Sequence, residues 1–341
     1  MQLPYAHPGY GDLLRPSDGR LYAAVREDAE STVLYPFVLR PIGDGQRHDI
    51  TSPYGYGGPL HWGSADAEDV AERFWAGFDQ WAQSNAVVAE FIRFSLFDDV
   101  LPYPGMKRSR NLNFVCELPG TEDELWASLH KKVRQGVRRA QRMGLDIVVD
   151  TTNTRIDDFF RIYSGTMARR ESDDWYRFSE EFFEGLHAAM GDRTVIVCVL
   201  HEGRAVAANL LLMGSDAVYA FLGGTDEEAF SMRPTEFMEF HSMNWARENG
   251  YRHYVLGGGV RPGDSLEGYK KRFAPNGGVL FHTGERILDP RAFDELVAAR
   301  RREFEEAAVP WDEETEFFPR YRAPIPHEAP TAAHEEVRAT L

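Results

Sequence analysis

Cysteine is almost missing from the chain. Cys116 and Cys198 each lie in an apolar run, "NFVCELP" and "VIVCVL", which fits reduced, buried strand residues and excludes a disulfide framework or a thiolate metal site. No stretch approaches the roughly 20 apolar residues of a membrane helix. The opening "MQLPYAHPGYGDLL" has neither the charged nor the apolar region of a signal peptide. A cytoplasmic protein without membrane insertion is expected. Positive charge is scarce too: 38 Lys and Arg face 54 Asp and Glu, a formal net charge of -16. That balance excludes a protein that coats nucleic acid non-specifically, and DNA is not an expected partner, although a local basic groove stays open. The chain has no Gly-x-x-x-x-Gly-Lys-Ser/Thr loop, no His-Glu-x-x-His and no Gly-x-Ser-x-Gly elbow, and its histidines are scattered without metal-ligand spacing. "LGGGV" lacks the glycine spacing and the following helix of a dinucleotide fingerprint. Metal and nicotinamide chemistry are therefore not expected, and no bound cofactor is.

What remains is a globular composition, 43% apolar and 27% charged over 341 residues, long enough for two domains. "LYAAV" and "VLYPFVLRPI" read as strands. "DAEDVAERFWAGFDQWAQSN" follows as a helix, with Phe74, Phe78 and Trp81 at helical spacing, and "VVAEFIRFSLF" and "NLNFVCELP" as further strands. "TEDELWASLHKKVRQGVRRAQRMG" reads as one helix, opened by a capping box of Thr121 with Glu124 and closed by Gly144. The order then returns. "DDFFRIYSGTMARRE" and "SEEFFEGLHAAMG" are helices. Three strands follow in "TVIVCVLHEGRAVAANLLLMGSDAVYAFLGG", turning at Glu202-Gly203 and Gly214-Ser215. A helix, "RPTEFMEFHSMNWARENG", and a strand, "YRHYVLGGG", complete the series. Trp-Ala-x-x-Asn precedes a strand twice, from Trp81 and from Trp245. With the repeated element order this suggests one α/β unit used twice, with a cleft between the halves. Another helix, "DPRAFDELVAARRREFEEA", and "EETEFFPRYRAP", which is expected to pack back on the first half, precede a tail.

Four segments and one further residue bear on chemistry. "DITSPYGYGGPLHWG" places Tyr54, Tyr56, Gly57 and Gly58 in one loop, either a rigid corner or one wall of a binding site. "HKKVRQGVRRAQR" concentrates Lys131, Lys132, Arg134, Arg138, Arg139 and Arg142 with no acidic residue, and Arg134, Arg138 and Arg142 share one helix face. It is either a phosphate-binding helix or a solvated face whose cations suit the helix C-terminus. "SLEGYKKRFAPNGG" follows Gly257, Gly258 and Gly259 and joins Tyr269, Lys270, Lys271, Arg272 and Phe273, a basic-aromatic cluster suited to an anionic substrate or to surface anchoring. "MARRESDDWYRF" gathers Arg169, Arg170, Asp173, Asp174 and Trp175, as a substrate-side loop or an exposed ion-pair network. Glu239, after Pro234, is a general base or the partner of a buried group.

Taken together, "LHKKVRQGVRRAQRMGLDIVV", "RPTEFMEFHSMNWARENGYRHYVLGGG" and "LEGYKKRFAPNGG" resemble the Fem family of aminoacyl-tRNA-dependent peptidyltransferases and the related tandem GNAT-fold N-acyltransferases, over most of residues 20 to 320. The resemblance implies an α/β (α+β) fold of two GNAT-like domains in tandem, each a mixed, mostly antiparallel sheet flanked by helices. The first would cover residues 1–145 and be completed by the C-terminal helix 291–325; the second would cover 146–290, with 329–341 as the tail. It implies amide formation, with aminoacyl-tRNA as co-substrate and the amine of a peptide or small molecule as acceptor. Lys270, Lys271 and Glu239 take the catalytic positions. Tyr54, Tyr56, Gly57, Gly58, Arg169, Tyr219 and Tyr269 are the substrate-binding candidates, and Lys132, Arg134 and Arg138 those for tRNA or phosphate. The Tyr54–Pro59 loop replaces the family's shorter Pro-x-Gly-Pro turn, which opens the acceptor beyond a wall precursor. The Arg/Gln-x-x-Gly-x-Gly/Ala loop of acetyl-CoA enzymes is replaced by "TDEEAFSMRPTEF", which weighs against acyl-CoA as the alternative donor. A ligand-binding relative without chemistry is the second alternative.

Overall fold

Both Trp-Ala-x-x-Asn junctions are helix C-caps. Asn85 and Asn249 each donate a side-chain N–H to the carbonyl of the tryptophan one turn earlier, Trp81 and Trp245, at 2.8 Å in both cases. The next residue in each takes a positive φ, Ala86 at 50° and Gly250 at 83°. The asparagine thus adds a second donor to a carbonyl that already accepts its backbone N–H, fixing the helix end as the chain turns into a strand.

The computed structural model describes residues 3–169, 178–259, 261 and 263–325. In chain order the strands are β1 (Arg20–Glu27), β2 (Ser31–Ile42), β3 (Arg47–Thr51), β4 (Leu60–Gly63), β5 (Val87–Arg93), β6 (Met106–Glu117), β7 (Leu145–Asp150), β8 (Thr194–His201), β9 (Arg204–Met213), β10 (Ala217–Thr225), β11 (His253–Gly258) and β12 (Gly278–Ile287). The helices are α1 (Pro8–Leu14), α2 (Ala67–Ser84), α3 (Glu122–Ser128), α4 (Lys131–Arg142), α5 (Ile156–Arg169), α6 (Glu180–Met190), α7 (Pro234–Glu248), α8 (Ser265–Lys270) and α9 (Pro290–Glu306).

The chain forms two compact units, passing from one to the other after Gly9, after Arg110 and after Leu280. The unit built on Tyr10–Arg110 and residues 281–325 orders its strands β1-β2-β3-β5-β12, antiparallel except for the parallel pair β3–β5, with β4 beside the start of β2. An aromatic core of Tyr35, Phe37, Phe74, Trp75 and Phe78 holds α2 against it. The C-terminal segment joins the same unit. Phe318 stacks on Phe293 of α9, and Tyr321 and Arg322 both donate to the buried carboxylate of Asp49, which also pairs with Arg40 at 2.7 Å.

The unit built on Asn111–Leu280 runs β6-β11-β10-β9-β8-β7, again antiparallel except for β10–β11. One face is covered by α4 and α7 through Val133, Val137, Phe237, Phe240 and Met243. In each unit a three-strand meander leads through a helix to a strand parallel to the third, and that strand then takes an antiparallel partner. This is the repeated order read from the sequence.

One helix expected from the sequence is two. The capping box of Thr121 and Glu124 opens α3 as expected. Leu129 then turns extended and His130 becomes a new N-cap, its Nδ1 accepting the Lys132 amide at 3.2 Å. Arg134 makes the break affordable: its guanidinium donates to the carbonyls of Ala127, at 3.1 Å, and of Leu129, which the end of α3 leaves open.

Candidate functional site

Glu239 stands in the middle of α7 with its side chain buried against the sheet. Ordinary surface helices put glutamate on the solvent side, so a buried one needs partners. Tyr254 of β11 donates its hydroxyl to Oε2 at 2.8 Å, and Asn209 of β9 donates an amide hydrogen to Oε1 at 3.3 Å. Burial pushes the carboxyl up to about 7, and the Tyr254 hydrogen bond, the Lys270 charge and Asn209 pull against it. Such a group changes protonation near neutral pH, as a general base must.

Lys270 ends α8, and its Nζ donates to the carbonyl of Gly258 at 2.6 Å. Asp264 caps that helix, accepting the Glu267 amide at 2.7 Å, and so sets the direction in which Lys270 leaves it. Lys271 is exposed, and its amine has no ion-pair or hydrogen-bond partner among the described residues. The two adjacent lysines thus divide, and the structure brings Lys270 to Glu239. Tyr269 is next in sequence, its hydroxyl buried and without a partner among the described residues; its ring meets Phe273 edge-on at 5.0 Å.

The sheet opens here. Strands β10 and β11 pair only from Ala217–His253 to Tyr219–Val255. Beyond that point β10 has an irregularity between Ala220 and Leu222, and β11 another between Val255 and Gly257, where φ is 73°. Two parallel strands that stop pairing expose backbone donors and acceptors to whatever enters between them. In the other unit the corresponding strands stay joined. Pairing from His48 to Thr51 is extended by a Gly57–Phe94 bridge, by Ser95 N–H to Gly57 O at 2.8 Å and by Arg93 N–H to Ser52 Oγ at 2.9 Å.

That stitching accounts for the Tyr-Gly loop. Gly57 is part of it. Gly58 has φ of 99°, and a Cβ there would come within 3.1 Å of the Phe94 ring. Tyr56 packs its ring edge on Phe281 at 5.6 Å, and Tyr54 is half-buried. What closely approaches these glycines is the unit's own chain, Arg93 at the end of β5 and Phe94 and Val100 after it.

The other candidates are dispersed. Tyr219 is buried under Tyr5, rings edge-to-face at 5.2 Å. Arg169 ends α5, donating to the Thr225 carbonyl at 3.2 Å with its guanidinium over Phe230; Arg170, Asp173, Asp174 and Trp175 lie outside the described residues. Of the basic helix, Arg134 is engaged with the α3 carbonyls, Arg138 is exposed and stacks over Trp126 at 5.3 Å, and Lys132 is exposed. The start of this helix is tied to the lysine cluster, since His130 N–H donates to Arg272 O at 2.9 Å. No group of His, Cys, Asp and Glu suited to a metal occurs among the described residues.

Sequence reading missed Asn209 and Tyr254, and also a counterpart of this centre in the other unit. Glu90 of β5 accepts the hydroxyls of Tyr35 at 2.9 Å and Tyr103 at 3.2 Å, with Arg286 at 3.5 Å. Burial pushes it, too, up to about 7 against Arg286 and the two tyrosines. Counted from the capping asparagines the two centres coincide. Glu90 and Tyr254 both lie five residues after Asn85 and Asn249, while Trp75 and Glu239 both lie ten before. The glutamate has changed sides, from strand in one unit to helix in the other. Only this register, applied to the twice-used Trp-Ala-x-x-Asn, would have found it.

Residues 127–271 match a model described as an acetyltransferase (GNAT) domain. The chain is 26% identical over 197 residues to a UDP-N-acetylmuramoylpentapeptide-lysine N(6)-alanyltransferase of Weissella viridescens, a match covering 54% of this chain and 56% of that protein, so it spans little more than half the relative's length. Its fold is that of the crystal structure of FemX, with a TM-score of 0.64 at 13% identity over 86% of this chain and 96% of the other. It also resembles the C-terminal domain of a protein assigned as a lysylphosphatidylglycerol synthetase from Agrobacterium fabrum, at 0.54 and 14% over 89% and 92%. A GNAT acetyltransferase model spans Glu239 and Lys270, an alanyltransferase is a sequence relative and FemX shares the fold, so the chain is similar to the Fem-like transferases of GNAT fold.

Proposed function

We propose that this protein is an N-acyltransferase that moves an aminoacyl group from charged tRNA to the amine of a peptide acceptor of the cell-wall-precursor type. The observation that carries the reading is Glu239, buried and tuned to about 7 beside Lys270, where β10 and β11 part. An ester on the 3′ end of tRNA is already activated, so alignment and charge stabilisation suffice. Glu239 takes a proton from the acceptor ammonium, which frees its nitrogen to attack the ester carbonyl. Lys270, oriented by the Gly258 carbonyl, stabilises the oxyanion. The C–O bond then breaks, and the 3′ oxygen leaves as a hydroxyl with the second amine proton. Lys132 and Arg138 meet tRNA phosphates, and Tyr269 borders the reacting groups. These substrates imply a cytoplasmic protein; no helix among the described residues is long and apolar enough to cross a membrane.

Acyl-CoA is the rival donor on the same fold. The segment between β10 and α7 weighs against it. It holds Asp226, Glu227 and Glu228, a 3-10 turn over Glu227–Met232, and Arg233 at φ 65°, in place of a glycine-rich cradle of amides for a pyrophosphate. Purified protein incubated with an amine-bearing pentapeptide precursor, once with alanyl-tRNA and once with acetyl-CoA, decides by the mass of the product. An aminoacyl adduct formed only with charged tRNA supports the reading; an acetyl adduct overturns it. No adduct from either donor points to a relative that binds without chemistry.

A further inference from the structure

Glu236 lies one turn before Glu239 on α7, and both side chains are buried. A second buried carboxylate on the same helix face is costly without a purpose or a partner. It pairs with Arg233 at the helix start, Nε to Oε1 at 3.5 Å, a long contact to a half-exposed side chain. The basic helix α4 makes room for it. A Cβ at Gly136 would come within 3.0 to 3.1 Å of the Glu236 Cβ, Cγ and Cδ, so glycine leaves a notch in which the acid side chain lies. Tyr269, whose buried hydroxyl has no partner among the described residues, feels the charge of Glu239 and of Glu236.

The chemistry of amide formation gives these groups a task. An alkyl amine reaches the site as an ammonium, with a pKa of about 10. One of its protons departs with the leaving hydroxyl, and one more must reach solvent in every turnover. Glu239 takes it but is enclosed by Tyr254, Asn209 and Lys270. We propose that Tyr269 and Glu236 conduct this proton from Glu239 to solvent at the Arg233 end of α7. The Glu239 carboxyl gives its proton to the Tyr269 oxygen while the Tyr269 O–H gives its own to the Glu236 carboxylate, and Glu236 releases it beside Arg233. The phenol stays neutral throughout; the Arg272 guanidinium, 5.9 Å from its ring centre, and Arg233 are the cations acting on it. Neither carboxylate is hydrogen-bonded to the hydroxyl at rest, so the transfer includes a rotation of Glu236, which its long contact to Arg233 permits.

This path rests on Glu239 acting as base in aminoacyl transfer. Its test is multiple-turnover amide formation from alanyl-tRNA against pH and imidazole concentration. Glu236→Gln is expected to lower kcat on the order of tenfold, to leave KM unchanged and to recover with added imidazole. Glu236→Asp, which keeps the carboxyl, is expected to retain the wild-type pH profile, and Tyr269→Phe to behave as Glu236→Gln does. Wild-type kcat and pH profile in folded Glu236→Gln, or a loss that imidazole leaves untouched, overturns the path alone. A wild type that forms no amide from alanyl-tRNA overturns the transfer reading and the path with it.

Discussion

Tyr254 gives its phenolic hydrogen to Oε2 of Glu239 at 2.8 Å, from a strand to a helix and wholly inside one unit. The bond favours the ionised carboxyl, opposing the burial that raises it to about 7. Since the base works deprotonated, activity rises with pH through that region. Tyr254→Phe removes a hydrogen bond made to the charged form, so the Glu239 pKa moves further up and the acid limb of kcat/KM shifts to higher pH, by about one unit. A pH profile of the variant checks it. An unmoved acid limb means that Glu239 is not the group whose ionisation the rate reports.

Glu90 makes the same physics visible in stability. Its folded pKa, about 7, lies above the ordinary carboxylate value of 4.5, so the folded state holds a proton that the unfolded chain has lost. Its stabilising contribution is complete below pH 4.5 and declines as pH rises to 7, by about 3 kcal/mol in all. Glu90→Gln keeps a neutral group in this place at every pH. Denaturant melts at pH 5 and pH 8 are expected to show the variant gaining on the wild type at the higher pH. A difference constant across that range contradicts a Glu90 ionised only with difficulty.

Much of this architecture was legible because local signals agreed with one another. The capping box at Thr121, the turn at Glu202-Gly203 and the two capping asparagines each fix a local turn or helix end, and each is found where the residues indicate. The break at Leu129 was hidden because Leu125, Leu129, Val133 and Val137 keep an interval of four straight through it, and all four are buried. What stabilises the break is a side-chain contact that apolar spacing does not encode, Arg134 reaching back to the carbonyls of α3. Strand β12 escaped for a different reason. Its Glu285 and Arg286 have the charge of surface residues, yet both are buried, Glu285 pairing with Arg108 at 2.8 Å and Arg110 at 3.0 Å, and Arg286 with Glu90. The Tyr-Gly loop correctly signalled close backbone approach, but composition does not say that the approaching body is the unit's own chain. The site hid because a lone helical glutamate has no pattern until its strand partner is known.

The two lysines offer a sharp contrast at one residue's distance. Lys270 is hydrogen-bonded to Gly258 and interacts with Glu239, whereas Lys271 is exposed. Lys270→Met is expected to lower kcat by about 100-fold or more, the scale of losing one oxyanion donor, and also to raise the Glu239 pKa by removing a nearby positive charge. Lys271→Met is expected to stay within a few-fold of wild type. Steady-state rates for both, with thermal melts to show that each is folded, separate them. Equal losses, or the larger loss at Lys271, would move the reacting centre away from Glu239.

The basic helix is best tested through residues that carry no structural duty. Arg134 closes the end of α3, so Arg134→Ala is expected to destabilise the protein by about 1 to 2 kcal/mol whatever binds there, and a weaker tRNA affinity in that variant says little. Lys132 and Arg138 are exposed, and Arg138 leans on Trp126 by its guanidinium face alone. Each phosphate contact contributes roughly 0.7 to 0.9 to the slope of log K against log salt. The double variant Lys132→Glu, Arg138→Glu is therefore expected to bind charged tRNA more weakly at low salt and to lose roughly 1.5 from that slope, with its melting temperature nearly unchanged. Filter binding across a salt series measures it. A folded double variant with the wild-type slope leaves α4 as a solvated face, its lysines and arginines serving the helix dipole and not a phosphate chain.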